Sequence, residues 1–173
     1  TLMTFRNKLT AALATLVVAL FFGGNLFAQS KEPVVFSFDT RHINDSIAYL
    51  DIHAKIAPGI KLFGFKNGED DVVYSTLQFD TSVTNRIAGK PEFTGNVHKE
   101  TDPVLESPVQ YFTDSVTWHQ PIKASATDSF LVLGNVSYMY KEGDEFPSKD
   151  ENFEEFILPD KTINTTSIGP ADE

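Results

Sequence analysis

Over residues 48–56 every second position is apolar: Ala48, Leu50, Ile52, Ala54 and Ile56 alternate with Tyr49, Asp51, His53 and Lys55. Successive strand side chains point to opposite faces, so the run predicts a β-strand with one face in a core and Tyr49, Asp51, His53 and Lys55 turned to solvent or to a sheet edge. Pro58-Gly59 ends it, because proline presets one turn dihedral and glycine accepts positive φ at the next. Val34, Phe36 and Phe38 repeat the alternation upstream. Residues 72–79, 109–118, 130–140 and 153–158 are further strand candidates. Pro103, Pro108, Pro121 and Pro147 are expected between these runs, where a missing N–H does no damage. No amphipathic helical period follows residue 30. Strands at this spacing predict an all-β fold, an antiparallel β-sandwich over residues 29–158.

The N-terminus reads differently. Arg6 and Lys8 precede the apolar run LTAALATLVVALFF, and Leu26-Phe27-Ala28 offers a small-residue cleavage site before Gln29. This is the pattern of a helical export signal over residues 1–28. An uncleaved anchor is the alternative, since residues 9–28 carry no charge and a spanning helix needs about 20 residues. Gly23, Gly24 and Asn25 interrupt the run and favour cleavage. Lipid attachment would need a cysteine, and the chain has none. A periplasmic or secreted location is therefore expected, with packing instead of disulfides holding the fold. Thr1, with Met3 close behind, points to an over-extended start or a fragment. Residues 159–173 are sparsely apolar and predict a flexible tail, or a linker if a longer parent chain exists.

Charge excludes some functions. The chain has 24 acidic against 14 basic residues, a net charge of −10. Removing the signal takes away only basic charge. Such a surface repels phosphate backbones and anionic lipid heads, so nucleic-acid partners are not expected and membrane association is left to an anchor or a downstream region.

Motifs for catalysis are missing. His42, His53, His98 and His119 show no metal-ligand spacing; His42 and His98 are expected in loops, His53 and His119 on solvent-facing or edge strand positions. The acidic groups at 69–71 and at Glu142, Asp144, Glu145, Asp150 and Glu151 lack calcium-loop spacing and read as a solvated rim. There is no G-x-S-x-G elbow and no phosphate-cradling glycine loop. No cofactor, metal or catalytic residue is predicted.

The stretch GNVSYMYKEGDEFPSKDENF, from Gly134 to Phe153, places an alternating strand before a short charged loop closed by proline. With AKIAPGIKLF at residues 54–63 and VQYFTDSVTWHQPIKA at residues 109–124, it resembles the periplasmic N-terminal domain of DsbD, the thiol:disulfide interchange protein. The three stretches keep the family's order and together extend over about residues 45–158, most of the chain after the signal. In that family a Val-x-Tyr strand leads into one cysteine, and a second follows just before a proline. Lys141 and Phe146 stand at roughly those places here. The family's cap loop, with an aromatic that shields the cysteines, corresponds to the interval 96–108, which contains no aromatic residue.

The resemblance implies an immunoglobulin-like sandwich outside the cytoplasmic membrane. It also implies thioredoxin-like periplasmic proteins or a membrane-embedded redox module as partners. Thiolates are the nucleophiles of disulfide exchange, so a cysteine-free chain is expected to be redox-inactive and to act as a protein-binding or structural module, or as an adaptor in disulfide reduction. Tyr138, Tyr140, Lys141, Glu142, Asp144, Phe146 and Pro147 form the expected contact loop. Strand alternation turns Tyr138 and Tyr140 inward, which competes with that role. A third reading is a glycan-binding sandwich using Trp118, Tyr111 or Tyr138.

Overall fold

A computed structural model describes residues 32–160 apart from 67 and 70. The predicted signal and all but the first two residues of the predicted tail lie outside that range. The strands are β1 (Val34–Asn44), β2 (Ile47–Ile56), β3 (Ile60–Phe63), β4 (Thr76–Phe79), β5 (Glu92–Thr94), β6 (Val97–Asp102), β7 (Ser107–Phe112), β8 (Ser115–Lys123), β9 (Phe130–Glu142) and β10 (Ser148–Ile157), with a 3-10 turn at Thr84–Arg86. One sheet runs β1-β2-β8-β5 and the other β10-β9-β3-β7-β6, with β4 also paired to β9. All pairings between strands are antiparallel. The expected all-β sandwich is what forms.

The period-two pattern of residues 48–56 sets the packing. Ala48, Leu50, Ile52, Ala54 and Ile56 are all buried and join Leu62, Val116, Trp118, Ile122, Val132, Val136, Tyr138 and Tyr140 in the core between the sheets. The ring of Phe36 on β1 meets Tyr138 at 4.9 Å, and Phe38 meets Phe153 at 4.9 Å. A second, smaller cluster of Phe63, Val109 and Tyr111 lies apart from it, packed by Val73, Leu105, Met139 and Phe146.

Several local expectations are corrected. Residues 109–118 are two strands, because Asp114 takes φ 64 and the chain crosses there from one sheet to the other. Aspartate tolerates this left-handed conformation better than most residues. Regular pairing in the 72–79 segment starts only at Thr76, and the last strand begins at Ser148, five positions before Phe153. Pro108 lies within β7 and Pro121 within β8. Pro121 sits opposite Tyr49, and its carbonyl accepts the Ala88 N–H at 3.0 Å, on the side away from β2. A strand residue's N and O point the same way, so the missing donor also falls on that side, where β5 no longer pairs. His42 and His98 lie in β1 and β6 and not in loops.

Asp51, expected at solvent, is only 5% exposed. It sits on the outer face of β2, where Arg41 Nε donates to one carboxylate oxygen at 2.5 Å and His119 Nδ1 lies 2.6 Å from the other. Tyr49 stacks on His119 at 5.9 Å, and Thr94 Oγ1 approaches His119 Nε2 at 3.0 Å. Burial alone would raise the Asp51 pKa, but the hydrogen bonds and charges of Arg41 and His119 outweigh it and hold the carboxyl below its ordinary value. A carboxyl whose folded pKa is depressed adds stability above its unfolded pKa, about 4, and loses it as pH falls through the folded value. The melting temperature should therefore hold from neutral pH to about pH 5 and fall below about pH 4. Asp51→Asn should lower it at pH 7 and flatten the acid limb; identical melting curves at pH 7 would remove the network from the account of stability.

Candidate functional site

The candidate site is the turn joining β9 to β10, together with the β6–β7 hairpin over it. Glu142 and Glu145 exchange two backbone hydrogen bonds of 3.1 Å around Gly143-Asp144. Gly143 has φ 62, and a two-residue hairpin loop with glycine first and positive φ there is the type II′ pattern, whose twist matches that of the flanking strands. Tyr140 N–H then donates to the Pro147 carbonyl at 3.1 Å, and Met139 pairs with Ser148. Lys141 and Phe146 therefore face one another across a non-hydrogen-bonded position, the class in which Cα atoms approach to about 4.5 Å. Lys141 Nζ lies 5.1 Å from the Phe146 ring centroid.

The alternation of β9 divides its side chains. Tyr138 and Tyr140 point into the main core and are 3% and 5% exposed, so neither belongs to a contact surface. Lys141 points to the opposite face and is 7% exposed, again buried. Its ammonium pairs with the carboxylate of Asp102, which is fully buried. Of the predicted loop, Glu142 and Asp144 are exposed, with Phe146 and Pro147 half-buried. The acidic rim is confirmed as solvent-facing at Glu142, Asp144, Glu145, Asp150 and Glu151.

The interval 96–108, expected as a loop, is largely the β6–β7 hairpin. It closes through residues 103–106, where Glu106 takes φ 51. Asp102 organises that turn: Oδ1 accepts the Val104 and Leu105 N–H groups at 2.8 and 3.1 Å while Oδ2 takes the Lys141 ammonium. Burial pushes the Asp102 pKa up, but Lys141 and the two backbone donors prevail and hold it below the ordinary range. Next along β6, Glu100 accepts from Lys61 and from the Tyr111 hydroxyl at 3.1 Å; the Lys61 hydrogen bond is the main reason its carboxyl is depressed. Lys61 also lies over the Tyr111 ring at 4.5 Å. Phe146 stacks on Phe63 at 6.0 Å, and Leu105 packs on the same cluster. The hairpin itself brings no aromatic to this region; the ring packed there, Phe146, comes from the β9–β10 turn.

Chemically the arrangement is a fastener. Ion pairs tie the hairpin to β3 and β9, a ring stack ties the β9–β10 turn to β3, and a lysine held by a carboxylate offers no free nucleophile. No thiol exists anywhere in the chain, so its own side chains cannot carry out disulfide exchange. The Lys141–Asp102 pair was invisible in sequence, because two charged residues 39 positions apart look like two solvated ones. The glycan reading loses its platform: Trp118, Tyr111 and Tyr138 are all buried.

The fold and site together define a cysteine-free antiparallel β-sandwich with a pinned hairpin over its β9–β10 turn. No protein-family model and no curated protein matches this chain. Among solved structures it is similar to the N-terminal periplasmic domain of ScsB from Proteus mirabilis, with TM-score 0.52, 12% identity, and coverage of 73% of this chain and 47% of that one. The chain thus spans about half the length of that relative. A second similar structure is the Neisseria meningitidis DsbD N-terminal domain in the reduced form, with TM-score 0.45, 12% identity, and coverage of 72% and 90%. The first likeness supports the sandwich fold and nothing beyond it.

Proposed function

We propose that this chain is an exported, redox-inert sandwich of the DsbD N-terminal type that binds other proteins in the periplasm, with Lys141 and Phe146 standing where the family carries its cysteines. The observation that carries the reading is the cross-strand position of those two residues beneath a hairpin, on a fold that has kept its shape without sulfur. The exposed tip of the 141–147 turn, with Glu142 and Asp144, is the contact surface, and thioredoxin-like proteins are the partners. The export signal at residues 1–28 supports the location.

Two measurements test this. Immobilised chain, exposed separately to a panel of periplasmic thioredoxin-like proteins and to oligosaccharides, should retain members of the first set only. Insulin reduction should stay at the no-protein rate. Binding to sugars alone would discard the reading. The cysteine correspondence is tested by Lys141→Cys with Phe146→Cys in an Asp102→Asn background, so that no unpaired charge stays buried. Mild oxidation should close an intramolecular disulfide, because facing strand positions meet the distance requirement. A variant that folds but keeps two free thiols would overturn the assignment.

A further inference from the structure

Beyond the turn, the molecule has an aromatic cleft that the proposed function does not use. It has a volume of about 390 Å³, with Phe65 and the exposed Phe93 at its open side and Phe112 and Trp118, both buried, as its floor. It opens where the chain leaves β3 at Gly64, beyond which β7 is paired only to β6 and has no strand on its β3 side. The rings form a tilted and edge-to-face array: Phe65 to Trp118 at 4.7 Å and 48°, Phe93 to Phe112 at 5.1 Å and 74°, Phe112 to Trp118 at 5.6 Å and 85°. Such an array accepts one more ring at its open end in the same geometry.

Part of the rim is apolar and, among the described residues, exposed. Phe93 is 45% exposed, and Val72 and Val97 beside it are exposed as well. Charge also distinguishes this place. Lys66 and Lys90 balance Asp71 and Glu92 around the cleft, on a chain whose net charge is −10. Side chains of both signs therefore flank the cleft, which gives a charged occupant of either sign no preference over an uncharged one. Finally, β5 is the last strand of its sheet and, among the described residues, pairs with β8 alone. Its outer edge can take a partner's backbone while the cleft takes a side chain, the division of labour of strand addition. The volume lies near the lower end of ligand pockets, about 300–1,000 Å³, and suits one large side chain.

We propose that this cleft receives an aromatic side chain presented by an uncharged, extended segment of a partner protein, the segment lying along the free edge of β5. This rests on the protein-binding reading above and adds a second point of contact, separate from the 141–147 turn, and the chemistry by which it holds a partner. The chain's single tryptophan, Trp118, lies in the cleft, so its indole N–H signal reports directly on occupancy.

The test is a nuclear magnetic resonance titration of the full chain with N-acetyl-phenylalaninamide, N-acetyl-alaninamide and toluene. The phenylalanine amide should give saturable shifts confined to Trp118, Phe93, Phe112 and their neighbours, at a dissociation constant of about millimolar order for a single ring. The alanine amide should give none. Phe93→Ser and, separately, Val97→Asp alter exposed rim positions and should weaken binding about tenfold or more; the second serves if the first disturbs folding. Shifts with toluene but not with the phenylalanine amide would mark a small-molecule cavity and overturn the proposal. So would shifts scattered outside the cleft, or none at all. Retained binding of thioredoxin-like proteins alongside such a failure would remove the cleft assignment alone. Ring binding without any thioredoxin-like partner would support the cleft and remove the family partner instead.

Discussion

Lys141→Met should lower the unfolding free energy by about 3–5 kcal/mol, the cost of leaving one member of a buried ion pair without its partner. Both side chains are almost fully inaccessible, at 8% for Lys141 and 1% for Asp102, so water cannot replace the lost ammonium. Methionine keeps most of the volume, so the loss is electrostatic and not a cavity effect. Asp102→Asn added to Lys141→Met should recover most of it. The amide oxygen still accepts the Val104 and Leu105 N–H groups, and no charge remains buried. Guanidinium denaturation of the wild type, the single variants and the double variant closes the cycle. A single-variant loss under about 1 kcal/mol would mean that the pair behaves as a surface bridge, and the hairpin would then be held by packing alone.

That pair also explains where sequence reading stopped. Residues whose partners lie along the strand were legible: the alternation of residues 48–56 and 130–140 sent Leu50, Ile52, Val136, Tyr138 and Tyr140 inward, and all are buried. The same alternation showed that Tyr138 and Tyr140 would compete against a contact role. Position 51 was misread because alternation reports only which face a side chain takes. Whether the outer face is covered depends on Arg41 and His119, which lie on neighbouring strands. The sequence VHKETD of β6 has no apolar alternation, since an edge strand held by its backbone ladder and by Lys61 and Lys141 needs little. Polar residues there read as loop. Prolines inside β7 and β8 misled for a related reason, as a proline is excluded only where its N–H would face a partner.

The site follows the same division. The turn at residues 142–145 was legible from glycine and charge, and the facing of Lys141 and Phe146 follows from its register. What lies above it was not, because burial of a charge depends on a second charge arriving from a distant strand. The cleft was equally hidden. Its aromatic walls come from four separate segments, and nothing in the order of Phe65, Phe93, Phe112 and Trp118 places them around one void.

Among the described glycines, Gly134→Ala should be the most damaging alanine substitution, at about 2–3 kcal/mol, within the range for inserting atoms into a packed core. Gly134 pairs with Phe153 on one side and Phe79 on the other. A Cβ there would lie well inside contact of Phe153 Cζ and of the Gln78 carbonyl oxygen, and 2.8 Å from Phe153 Cε1. The ring cannot withdraw, since it is packed against Phe38 at 4.9 Å and Phe79 at 5.9 Å. The carbonyl belongs to backbone, so relief requires β4 to move off β9. The loss should therefore be partly local: amide exchange at Thr76 and Gln78, whose N–H groups face β9 in the same phase as the Asp80 N–H that donates to the Leu133 carbonyl, should accelerate more than at Leu50 or Ile52. Gly64→Ala is the matched control, because its added methyl would meet only the Phe112 ring edge at 3.2 Å and should cost under about 1 kcal/mol. Equal denaturation midpoints for the two variants would show that β4 yields freely, and the close passage of Phe153 over Gly134 would then be incidental to stability.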